Sequence, residues 1–233
     1  RCGIGTFTQN LLKAMSGKDD SPDNKKGFFV VAMNDFDQEY DYPEEVVFTI
    51  RQENQRDYQE AAEYINLSGA DCCILEHEFG IFGGRNGVYI LSLLHRLKIP
   101  LIVTLHTVLK TPSYGQKEIL QRICRTANRV VVMSHHAVEF LEDIYDVPKE
   151  KIAYIEHGVP DYKFSQPEAK KEFKLDKRKV LLTFGFVSRN KGIETAIKAL
   201  PEVVKKHPEV LYVVLGKTHP HVLHYVGEEY RNY

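Results

Sequence analysis

The stretch Leu101-Ile102-Val103-Thr104-Leu105-His106-Thr107 decides how the rest of the chain is read. Its strand-forming, mostly apolar residues run on without alternation and stop abruptly at a polar pair. A strand with one wet face alternates, whereas one covered on both faces, as in a parallel sheet, does not. The same form recurs on either side, giving candidate strands at Phe28–Met33, Val46–Ile50, Cys72–Leu75, Val130–Met133, Ile152–Ile155, Val180–Phe184 and Leu211–Leu215. Between them, Tyr58–Leu67, Val88–Leu97, Glu118–Ala127, Ala137–Tyr145 and Ile193–Lys206 place apolar residues at helical spacing. Pro201 should kink or interrupt the last of these helices. Repeated strand–helix alternation predicts an α/β fold of doubly wound parallel sheets.

Composition bounds what such a fold is for. The chain has 233 residues, 43% hydrophobic and 27% charged, which suits a soluble globular protein of one large or two modest domains. Lys and Arg total 31 against 32 Asp and Glu, a net charge of −1, so no electrostatic footprint for nucleic acid is present. No apolar run approaches the ~20 residues of a membrane span, which excludes an integral membrane segment and leaves peripheral membrane contact open. Cys2, Cys72, Cys73 and Cys124 form no C-x-x-C pair. Free thiols of a cytoplasmic protein are the expectation.

One composition shift organises the chain. Residues Pro160–Lys179 are polar, with two prolines and seven lysines or arginines. The reading is a first α/β domain at 1–160, a linker at 161–179, and the start of a second domain at 180–233. At the front, Cys2-Gly3-Ile4-Gly5-Thr6 resembles a glycine-rich turn opening a helix, Phe7–Met15, without the strand that should precede it. A fragment lacking that strand and most of the second domain is expected, and expected to be inactive alone.

In doubly wound sheets ligands sit beyond the carboxyl ends of the strands. Those positions here are Glu76-His77-Glu78 running on to Gly83-Gly84, then His106-Thr107, Ser134-His135-His136, Glu156-His157-Gly158, Gly185 with Arg189 and Lys191, and Gly216-Lys217-Thr218-His219. A single histidine after a strand is more often structural than functional. Six polar strand ends together favour a site able to hydrogen-bond a ligand and hold phosphate. No metal centre is expected. His219-Pro220-His221 with His224 lacks a Cys or carboxylate at ligand spacing, and Asp35-Phe36-Asp37 reads as an ordinary acidic loop. Glu194 and Glu202, spaced E-x7-E, read as the solvated side of a helix.

Residues 101–107, Val130–Ser134, Ile155–Asp161 and Leu182–Gly192, in this order and spacing, resemble the retaining glycosyltransferases of family 4. The Glu76–Gly84, His106-Thr107 and Gly216–Pro220 stretches resemble its mannosyltransferase-like branch in particular. The resemblance implies a GT-B architecture of two Rossmann-like domains facing across a cleft. It implies transfer of a hexose, mannose favoured, from a nucleotide-sugar donor such as GDP-mannose to a glycan acceptor, with retention and with no metal or cofactor. Gly3 and Gly5 match the glycine loop that approaches the donor diphosphate and acceptor. His106 matches the histidine that reaches the transferred sugar. Lys191, with Gly185 before it, matches the lysine that binds the donor phosphates. Glu76, His77, Gly83, Gly84, Ser134, His157, Gly158 and Gly216 are the further binding candidates.

Two departures stand out. Phe186 occupies the position where the family often has arginine, which leaves Arg189 to supply that charge, and the family's own E-x7-E pair would fall beyond Tyr233. Two other readings stay open: a nucleotide-sugar epimerase of the same fold, for which Glu76 and Glu78 are the available acids, and a non-catalytic binding relative. The base and sugar of the donor, the acceptor, the linkage and the oligomeric state are not encoded in these motifs.

Overall fold

The computed structural model describes residues 3–16, 27–35, 40–218, 223 and 227–232. Contacts divide the chain into two compact units, one up to Pro160 and one from Asp161 onward.

The first unit opens with helix α1 (Gly3–Ser16), so the glycines read as a turn lie in the helix's first turns. Strands β1 (Val30–Asn34) and β2 (Val46–Arg51) pair in parallel, and helix α2 (Gln55–Leu67) follows. A second parallel sheet runs in the order β3 (Cys73–His77), β4 (Leu101–Leu105), β5 (Arg129–Val132), β6 (Ile152–Tyr154). Its crossovers are helices α3 (Ile90–Leu94), α4 (Tyr114–Thr126) and α5 (His135–Asp143). The two sheets share no hydrogen-bonded neighbours among the described residues. Their strands still meet one core, because Val31, Met33 and Phe48 pack against a cluster containing Leu101, Val103, Leu105, Val130, Val132, Tyr58, Leu94, Leu120 and Ile123. Burial of such runs, at about 25 cal/mol per Å² of apolar surface, is what holds the helices on the sheet.

Helix starts differ from the periodicity reading for an identifiable reason. Apolar spacing marks the first buried residue, while the helix begins at its cap. Asn54 accepts from Arg56 N and starts α2 at Gln55. Ser113 and Gln116 form a reciprocal capping box that starts α4 at Tyr114. Expected helix 88–97 is shorter, because a 3₁₀ turn (Arg85–Gly87) with Asn86 and Gly87 at positive φ precedes it. Asp57 anchors α2 to the end of β2 by accepting from the backbone N, Nε and Nη2 of Arg51 at 3.0, 2.8 and 2.9 Å. That hydrogen-bonded guanidinium holds the Asp57 carboxyl below its ordinary pKa.

The second unit contains helix α6 (Gln166–Glu172), within the stretch read as a linker, and the parallel pair β7 (Lys179–Phe184) and β8 (Val210–Leu215). Helix α7 (Ile193–Lys206) connects them and runs through Pro201. Proline there forfeits only the bond to the carbonyl of Ile197, an exposed position where water can take its place. A short helix α8 (Glu229–Asn232) follows. Leu181, Leu182 and Phe184 are exposed, unlike the doubly covered strand expected from their sequence. Two strands with few helices offer too little surface to cover both faces.

Candidate functional site

Strands β3 and β4 are in parallel register with Glu76 opposite Thr104 and His77 opposite Leu105. Side chains alternate along a strand, so Thr104 and the following His106 share one face, Glu76 and Glu78 share that same face, and His77 and Leu105 share the other. The polar face closes into a cluster. Nε2 of His106 lies 2.8 Å from Oε2 of Glu76, and Thr104 Oγ1 donates to Glu76 Oε1 at 3.3 Å. Thr107 Oγ1 donates to Glu78 Oε2 at 2.5 Å, and the backbone N of Phe79 donates to Oε1 of the same carboxylate at 2.8 Å.

The pair is sheltered rather than open. The His106 and Glu76 side chains keep 12% and 11% of their exposure. A residue just beyond a strand end would ordinarily face solvent. Instead the edge of Phe7 from α1 covers His106, with ring centroids 4.9 Å apart, and the same phenyl meets His157 at 5.3 Å. Phe7 and Thr104 are members of the site that strand-end reading missed. A polar Thr104 inside an otherwise apolar strand, two residues before His106, was the available signal for one of them.

His77 has a different duty. It is buried on the far face, between the rings of Phe79 and Phe82, and its Nδ1 has no hydrogen-bond partner among the described residues. Burial, and secondarily the neighbouring His106, pushes its pKa down to about 4, so it is neutral at physiological pH.

The remaining first-unit candidates divide between packing and open surface. Ser134 caps α5, its Oγ accepting from Ala137 N at 3.2 Å. His157 and Gly158 are exposed beyond β6, with His157 Nδ1 2.8 Å from the Gly158 carbonyl. Gly3 is exposed, with nothing within 4 Å of where a Cβ would stand, and Gly5 is also exposed. Gly83 and Gly84 are explained by close packing. A Cβ on Gly83 would stand 1.9 Å from the carbonyl oxygen of Gln52, and its N–H donates to the buried Tyr58 hydroxyl at 2.8 Å. Gly84 has φ +72° and presses on Tyr89. Gly83→Ala should therefore destabilise the first unit by about 1–3 kcal/mol or more, read as a fall in its melting temperature. An unchanged melting temperature would disprove this packing role.

In the second unit Gly185, at φ +119°, ends β7 and donates its N–H to the Leu215 carbonyl at 3.0 Å. Gly216 passes so close to Gly185 that a Cβ would meet its carbonyl oxygen at 1.8 Å. A 3₁₀ turn (Arg189–Lys191) and left-handed Gly192 then lead into α7. Lys191 is exposed and outside any ion pair among the described residues, free to meet an anion. The Arg189 guanidinium lies over the Tyr230 ring, 5.7 Å from its centroid. The Tyr230 hydroxyl accepts from Ile193 N at 3.2 Å and donates to Glu194. Glu194, read as merely solvated, is thus tied to α8, and that hydrogen bond lowers its pKa. Helical spacing on α7 could not show this, because the partner comes from elsewhere in the chain.

Among the described residues no group of three or more His, Cys, Asp or Glu is placed to hold a metal, and no helix is long and apolar enough to cross a membrane. His219, Pro220, His221, His224, Phe36, Asp37 and Cys2 lie outside the described residues. Asp35 accepts from the Tyr40 hydroxyl.

Parallel sheets with helical crossovers in both units, and polar residues gathered at strand ends, define a Rossmann-like α/β protein of the GT-B class. Residues 55–162, a little under half of the chain, match the family model Glycosyltransferase Family 4. Among solved structures, Anabaena HepE in complex with UDP superposes with a TM-score of 0.54 at 18% identity, covering 76% of this chain and 47% of that one. A glycosyltransferase from Rickettsia africae ESF-5 superposes with a TM-score of 0.50 at 16% identity, covering 79% and 58% respectively. The chain thus spans about half the length of these structural relatives. No curated protein matches it significantly.

Proposed function

We propose that the protein transfers a hexose from a nucleotide-sugar donor to a glycan or related acceptor, with retention and without a metal ion. The observation that carries the reading is the strand-end cluster of Glu76, His106, Glu78 and Thr107, within the segment matching the family. It places hydrogen-bonding groups suited to sugar hydroxyls where parallel sheets receive ligands. In the second unit, Lys191, exposed just before a 14-residue helix, supplies positive charge at that helix's N-terminus, where the helix dipole also favours an anion.

The chemistry asks for those two things. The bond between the anomeric carbon and the phosphate oxygen breaks, and its electron pair leaves with the nucleoside diphosphate. Lys191, with Arg189, stabilises that developing negative charge. The acceptor hydroxyl oxygen bonds to the anomeric carbon on the face just vacated, and its proton passes to the departing phosphate. His106 orients the sugar and moves no proton. Mannose from GDP-mannose is the favoured donor, on the resemblance of residues 76–84 and 106–107. HepE was solved with UDP, so uridine donors are the natural competitors.

The test is incubation of the full-length gene product with labelled GDP-mannose and UDP-hexoses, with and without EDTA. Mannosyl transfer with retained anomeric configuration, insensitive to EDTA, is the expected result. Epimer formation would instead establish the epimerase reading. Tight nucleotide-sugar binding without turnover would establish a non-catalytic relative.

A further inference from the structure

The geometry points to Glu76 as a positioning residue that holds His106 with its proton on Nε2, leaving Nδ1 as a hydrogen-bond acceptor for a substrate hydroxyl. The inference rests on the sugar-facing role of His106 proposed above and deepens it. Nothing in that reading says which ring nitrogen meets the sugar, or whether it gives or takes a hydrogen bond.

A carboxylate offers lone pairs only, so the imidazole nitrogen 2.8 Å from Glu76 Oε2 must carry the hydrogen. In a neutral ring the other nitrogen is then an acceptor. Nδ1 of His106 makes no hydrogen bond among the described residues. The neighbouring groups are consistent with this state. Phe7 from α1 offers only a hydrocarbon edge. Thr104 on β4 spends its hydroxyl on Glu76. His77 on β3 is neutral at physiological pH, and Glu78 is occupied by Thr107 and the Phe79 N–H. Among the described residues, Glu76 is therefore the one charged group bonded to His106.

Glu76 is itself fixed. It sits in register opposite Thr104 on the adjacent strand, so the backbone ladder sets its distance from His106. A third group that holds a histidine in one tautomer is a recurrent way of aiming a nitrogen at a substrate. The chemical consequence is selectivity. An accepting Nδ1 welcomes a hydroxyl donor and repels a phosphate or carboxylate oxygen, so His106 reads the sugar and not the diphosphate.

Ring nitrogens report their protonation directly in long-range ¹H–¹⁵N spectra, which can be recorded on ¹⁵N-labelled chain without any substrate. His106 is assigned by its loss in His106→Gln. The wild-type ring, in its neutral form, should show the proton on Nε2 alone. Glu76→Ala should give a mixture of tautomers, while Glu76→Gln, whose amide oxygen still accepts, should restore the single form. The His77 signals and the melting temperature serve as controls for folding. A wild-type ring with its proton on Nδ1, or a Glu76→Ala spectrum identical to wild type, would overturn the inference. Should Glu76→Ala not fold, the wild-type and Glu76→Gln spectra decide alone, and a tautomer mixture in either rejects it. If the tautomer pattern holds but no nucleotide-sugar binds, the positioning stands and the sugar-transfer reading fails.

Discussion

Lys191→Ala is expected to lower transfer by on the order of 10²-fold or more while leaving the melting temperature unchanged, because one charge-assisted contact to a leaving phosphate is worth roughly 2–4 kcal/mol at the transition state. Stability should not move because Lys191 is exposed, lies in a 3₁₀ turn ahead of α7, and joins no ion pair among the described residues. Its removal creates no cavity and strands no partner. Left-handed Gly192 sets the turn geometry independently of the lysine side chain. The loss should fall mainly on kcat, since the charge it meets develops as the glycosidic bond breaks. Initial rates and donor KM on one preparation check this. Undiminished turnover would remove Lys191 from the phosphate site and leave Arg189, now seen resting on Tyr230, as the cation responsible.

His106→Ala is expected to reduce transfer by roughly 10²-fold or more, with a measurable but limited loss of stability. Sequence position alone points to a substitution nearly neutral for folding, because a residue beyond the strand end has no core to support. The Glu76 pairing changes that. Truncating the imidazole leaves a carboxylate that keeps only 11% of its exposure with Thr104 as its remaining side-chain donor. Leaving such a group under-satisfied costs about 1–3 kcal/mol, or roughly 2–10 °C in melting temperature for a chain of this size. Rate and melting temperature measured together separate the two roles. A protein severely destabilised yet normally active per folded molecule would mean that His106 holds the strand end and does not touch the sugar.

Both expectations rest on features legible in the sequence. The unalternating apolar runs from Leu101 and Val130 are a direct record of burial on both faces. They therefore disclosed parallel strands, and strand ends are where ligands go. Leu101–Leu105 and Ile193–Lys206 fall where periodicity put them, because hydrophobic spacing is written by the same burial that forms the elements. The polar strand ends at Glu76, His106 and Lys191 were legible for the same reason. Helix starts at Gln55, Tyr114 and His135 were less so, since the caps Asn54, Ser113 and Ser134 lie outside the apolar stripe.

What the sequence by itself determined is each residue's parity and place along its own strand: Thr104 with His106, Glu76 with Glu78. What only the tertiary structure decided is which of these residues touch. Register sets Glu76 opposite Thr104 and so beside His106, and register is a relation between two strands separated by a whole crossover. The same holds for Phe7 over His106, Gln52 against Gly83, and Tyr230 on Glu194. In each, the partners are far apart in the chain. Local spacing carries no information about their meeting, because the distance between them is fixed by packing and not by the covalent backbone.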